Sequence, residues 1–114
     1  MISHVVLMKP RPDLSPDERQ QFIDAFEKAL TEIPGVRGVR VGDRVLHGAG
    51  YEQSAPAMDF IAVIDFDDVD GLQAYLRHPA HEQLAACFRQ SLTAALVYDF
   101  QVGGVEELRT GRFS

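Results

Sequence analysis

The sequence predicts an α+β domain whose elements run β-α-β-β-α-β, with four antiparallel strands carrying both helices on one face. Two periodicities carry this expectation. β-Branched extended runs begin near residues 2, 36, 59 and 95, and between them lie two long stretches with apolar residues every third or fourth position. A third observation concerns the other face of the sheet. The last two runs are apolar at successive positions, so both of their faces must be kept from water.

The first run, "ISHVVLMK" at residues 2–9, puts Ile2, His4, Val6 and Met8 on one face and Val5 and Leu7 on the other. Pro10 and Pro12 end it. "SPDE" then announces a helix: Ser15 as N-cap, Pro16 at the first helical position and Glu18 closing a capping box. Phe22, Phe26, Ala29 and Ile33 form its apolar stripe, widened by Ala25 and Leu30, and Pro34-Gly35 stops it. Residues 36–42, "VRGVRVG", read as a thin second strand. No helix start follows these glycines, as a phosphate cradle would require.

Residues 43–57 form a long polar connection, and the third strand, "DFIAVIDF", covers residues 59–66. "DDVDG" supplies N-cap candidates for a helix reaching Arg77, and "HPAHEQLAACFRQSL" restarts that helix after a break. "ALVYDFQV", at residues 95–102, is the fourth strand. Leu96, Tyr98, Phe100 and Val102 oppose Ala95 and Val97 there, as Ile61 and Val63 oppose the remaining apolar residues of strand three. Two helices cover only one face. The other calls for a second copy of the chain, so a homodimer with two sheets packed face to face is expected.

A length of 114 residues suits one domain with one core. The formal net charge of -6 and the scattered basic residues argue against nucleic acid and anionic membrane as partners. Cys87 is the sole cysteine, which rules out an internal disulfide and makes the reducing cytoplasm the expected location. Met1 leads into an apolar run without a basic region before it, which reads as a strand rather than a signal peptide.

The stretch "AYLRHPAHEQL", residues 74–84, carries the chemistry. Pro79 lacks an amide donor and disfavours helix at His78, so one helix ends there and another starts. His78 becomes an N-cap residue and His81 falls in the first turn, where the positive helix end disfavours imidazolium. A neutral His81 can accept a proton, and Tyr75, in the turn before the break, can donate one. His4 joins them from an apolar strand face, where its ring needs either a partner or a cavity. Two readings fit these residues: an acid–base site, or a bent helix with histidines serving only as caps. The H-x-x-H spacing of His78 and His81 is not that of a helical zinc pair, and no metal or cofactor is expected.

"MISHVVLMK", "IPGV", "AYLRHPAH" and "VYDFQV" together resemble the stress-responsive dimeric α/β barrel (Dabb) family over residues 1–102, leaving 103–114 as a C-terminal tail. The resemblance implies a ferredoxin-like fold in a homodimeric barrel. It also implies a small apolar pocket. The family includes a plant polyketide cyclase that closes its substrate by aldol condensation without a cofactor. Its catalytic tyrosine and histidine match Tyr75 and His81, and its first-strand pocket histidine matches His4. Other pocket-lining positions fall on Val6, Met8, Phe22, Phe26 and Leu84. Glu82 follows His81 here, in place of the aromatic residue of that cyclase. The implied activity is aldol, cyclisation or isomerisation chemistry on a carbonyl or phenolic small molecule. The alternative is a non-catalytic stress-associated protein that binds a ligand or partner.

Overall fold

The capping box forms as the sequence requires. In a computed structural model describing residues 1–110, the Ser15 hydroxyl accepts from the Glu18 amide and the Glu18 carboxylate from the Ser15 amide, each at 3.1 Å. This starts α1 (Pro16–Glu32), which follows strand β1 (Ile2–Pro10). The chain then builds β2 (Gly38–Asp43), a 3-10 turn at Gly50–Gln53, β3 (Phe60–Phe66), α2 (Val69–Arg77), α3 (Pro79–Ser91), β4 (Leu92–Gln101) and α4 (Glu106–Thr110). The sheet order is β2-β3-β1-β4, antiparallel throughout. This is the ferredoxin-like α+β arrangement expected, with the second helix broken in two.

Alternation along β1 decides what each face does. Ile2, Val6 and Met8 pack against Ala62, Ile64 and Phe66 of β3 and are roofed by helix residues such as Phe26, Ala29, Leu72 and Leu84. The opposite face presents Val5 and Leu7, paired in register with Val63 and Ile61 on one side and with Tyr98 and Leu96 on the other. No helix among the described residues covers that face. Tyr98 and Phe100 remain 50% and 51% exposed, and α4 buries no residue.

Several boundaries differ from expectation. Strand β4 starts at Leu92 rather than 95, because no loop separates it from α3. The Leu92 amide closes the helix on the Phe88 carbonyl, while Leu92 itself already pairs with Pro10. Strand β2 starts at Gly38, two residues later than its apolar run begins; the Arg37 amide only reaches the Asp65 carbonyl at 2.8 Å. The long polar connection is partly ordered: the Glu52 carboxylate accepts from the His47 and Gly48 amides at 2.8 and 3.0 Å. In the tail, residues 106–110 form α4, and 111–114 lie outside the described residues.

Candidate functional site

The helix break is built on one residue. His78 adopts an extended backbone (φ -69°, ψ 141°) and closes α2 by donating its amide to the Tyr75 carbonyl at 3.2 Å. The same residue opens α3: its Nδ1 accepts from the Ala80 amide at 3.0 Å, and Pro79 takes the first helical position. His78 is therefore occupied as a cap. His81, whose amide bonds the His78 carbonyl at 2.9 Å, turns its ring back toward the Leu76 backbone in the last turn of α2.

The bend brings the two sides of the break together. Tyr75 and His81 meet edge to face with ring centroids 4.9 Å apart. His4 approaches Tyr75 from β1 at 5.9 Å, also edge on, and Phe66 packs on Tyr75 at 5.2 Å. These three polar rings sit in a cavity of about 290 Å³ between sheet and helices. Ile64, Val6 and Val97 line it from the sheet and Phe26 from α1. Leu76 belongs to α2, and Leu84, Ala85, Phe88 and Arg89 complete the wall along α3.

Of the positions expected to line a pocket, Val6, Phe26 and Leu84 reach this cavity. Met8 and Phe22 do not line it. Met8 lies on the same face of β1 as Val6 but further along the strand, in the buried core. Phe22 stands behind the wall, stacked on Phe88 at 5.2 Å.

The strand pairing adds one residue to the site that periodicity does not mark. Asp99 lies directly opposite His4 in the β1–β4 register, and its Oδ1 is 2.6 Å from His4 Nδ1. With Nδ1–H donated to that carboxylate, Nε2 is the nitrogen left for other partners. The available signal was the one acidic residue of the last strand, on the same side as Ala95 and Val97. It acquires meaning only from the strand pairing.

Electrostatics divide the roles. Burial pushes the Tyr75 hydroxyl up to about 12, so it remains a proton donor through the ordinary pH range. His81 is shifted below the usual histidine value, first by burial and then by nearby His4; a backbone hydrogen bond to Leu76 and the Glu82 carboxylate pull the other way. The direction agrees with the expectation of a neutral ring, but burial is the leading cause. The arrangement thus places a neutral base beside a protonated phenol in a largely apolar cavity.

The comparisons with known proteins agree with this fold. Residues 2–102 match the family described as the stress responsive A/B barrel domain, Dabb. Olivetolic acid cyclase from Cannabis sativa is 20% identical over 99 residues, covering 87% of this chain and 94% of that protein. A dimeric ferredoxin-like protein of unknown function from Thermobifida fusca superposes with a TM-score of 0.69 at 29% identity, over 89% of this chain and 90% of that one. Hydroxynitrile lyase from Passiflora edulis has the same fold, with a TM-score of 0.75 at 17% identity over 90% and 93% of the two chains.

Proposed function

Since the chain belongs to the stress-responsive A/B barrel (Dabb) family, we propose that it is a homodimeric, cofactor-free acid–base catalyst acting on a small carbonyl or phenolic compound. The observation that carries this reading is the meeting of Tyr75, His81 and His4 in one apolar cavity, with Asp99 behind His4. His81 removes a proton from the carbon beside a bound carbonyl. The Tyr75 hydroxyl donates to the oxygen as negative charge develops there. His4, oriented by Asp99, presents Nε2 as a second hydrogen-bonding group. The enolate so formed can attack a second carbonyl, as in aldol closure, or be reprotonated elsewhere, as in isomerisation. A largely apolar wall strengthens each of these interactions by excluding water.

The catalytic unit comprises residues 1–102, with 103–114 a tail outside it. The homodimer reading is supported by the uncovered apolar face of β1, β3 and β4 and by the dimeric relative from Thermobifida fusca. No helix of the described residues is long and apolar enough to cross a membrane. A cytoplasmic location is supported by the single cysteine.

Deuterium exchange at the central carbon of a small β-diketone, followed by proton NMR, tests the reading. Wild-type protein should accelerate exchange, and His81→Ala should return it to the buffer rate with the oligomeric state unchanged. Equal acceleration by both proteins would exclude His81 as the base.

A further inference from the structure

Among the described residues, Arg89 is the one strongly basic group on the cavity wall. It shares a stripe of α3 with His81, Ala85 and Phe88, and all four line the same space. Eight residues separate it from His81, which is about 12 Å along a helix axis. The ion pairs among the described residues engage Arg11, Arg37 and Arg109. Arg89 is exposed, at the solvent side of a wall whose inner members are apolar.

The cavity is therefore polarised along its length. Tyr75, His81 and the His4–Asp99 pair occupy one end; the Asp99 carboxylate there is already bonded to an imidazole, and the Glu82 carboxylate beside His81 is exposed and does not line the cavity. Leu84, Ala85 and Phe88 offer no polar side chain in between. Arg89 stands at the far end, with a planar fork of donors suited to a carboxylate.

We propose that the ligand of this cavity is an organic acid: an apolar body with its reactive carbonyl or phenol at His81 and a carboxylate about two helical turns away, held by Arg89. The inference rests on the acid–base reading of the cavity and adds the substrate's class and orientation. The chain as a whole carries a net charge of -6 and repels anions, so any preference for a carboxylate must arise locally.

Octanoate and its uncharged isostere octanamide provide the probes, titrated into the full chain while the His81 imidazole and Tyr75 ring resonances are followed by NMR. Both should move these resonances, and octanoate should bind about fivefold tighter, as a partly solvated ion pair allows. Arg89→Gln should bring the two affinities together, Arg89→Lys should restore part of the difference, and added salt should shrink it in wild type. Equal affinities in wild type, or an unchanged ratio in Arg89→Gln, would overturn the proposal and leave the cavity reading intact. If neither probe moves the His81 or Tyr75 resonances, the cavity reading fails and the proposal with it. A tenable octanoate preference in a protein that exchanges no diketone proton would remove the acid–base chemistry alone.

Discussion

His4 Nδ1 and Asp99 Oδ1 stand 2.6 Å apart across neighbouring strands, joining the first strand of the chain to the last at the wall of the cavity. The His4 ring is almost completely buried, whereas the Asp99 side chain is 43% exposed. The carboxylate therefore remains hydrated on one side while it orients a buried imidazole on the other. The pair fixes which nitrogen of His4 can face a ligand.

Asp99→Asn tests that relationship. The amide can still donate or accept one bond but no longer favours Nδ1–H specifically. Nitrogen-15 NMR of the imidazole should show the Nδ1–H form in the wild type and a mixture of tautomers in the variant. Activity should fall on the order of tenfold to hundredfold, by analogy with carboxylates that orient metal-bound histidines. An unchanged tautomer would mean that Asp99 does not orient the ring.

The His81 shift has a consequence for pH. Its folded-state value lies below the ordinary 6.5, so the unfolded chain takes up this proton first as the medium is acidified. The neutral ring's contribution to stability is complete above the unfolded value and is lost as pH falls through the folded one. NMR titration should give a midpoint below 6.5, and the acid limb of the rate profile should follow it. A midpoint above the free value would remove the general-base assignment.

Tyr75→Phe should separate chemistry from packing. The ring is 1% exposed and wedged among Phe66, His4 and His81, all of which phenylalanine retains. Stability should change by less than about 1 kcal/mol by denaturant titration, whereas Tyr75→Ala should cost about 3–5 kcal/mol. Proton-exchange activity should nevertheless fall in Tyr75→Phe, because the donor is gone. The alkaline side of the rate profile should stay flat until pH approaches the Tyr75 value of about 12.

His78→Ala should have the opposite signature. Losing the Nδ1 bond to the Ala80 amide removes the N-cap of α3, at a cost of about 1 kcal/mol. Activity per folded molecule should be nearly retained, and His78→Asn should recover the stability. A large loss of activity without loss of stability would give His78 a chemical role.

The uncovered sheet face predicts the oligomeric state. Sedimentation at micromolar concentration should give about twice the 12.7 kDa chain mass. Val63→Asp places a charge between Val5 and the Arg40 position of the neighbouring strand, on the face without helices, and should yield monomer or aggregate. A stable, soluble dimer of Val63→Asp would place the interface elsewhere.

Local chemistry made much of this protein legible in its sequence. Ser15, Pro16 and Glu18 start α1 through bonds within one turn, and Pro79 breaks the second helix because a ring closes on its own nitrogen. His78, Tyr75 and His81 are close in sequence, so the break alone brings the latter two together. Alternation along β1 likewise put His4 with Val6 and Met8. The tertiary structure decided what depends on contacts remote in the chain. Asp99 became a partner of His4 only through a register joining residues 95 positions apart. Phe22 and Met8 fell outside the cavity wall because side-chain depth is set by packing, in which Phe88 intercepts one and the core absorbs the other. Arg89 came to share that wall with His81 because α3 turns the same stripe toward the cavity for two full turns. Periodicity identifies such a stripe, but which of its residues meet empty space rather than protein depends on how the facing surfaces fill, and that is settled only in three dimensions.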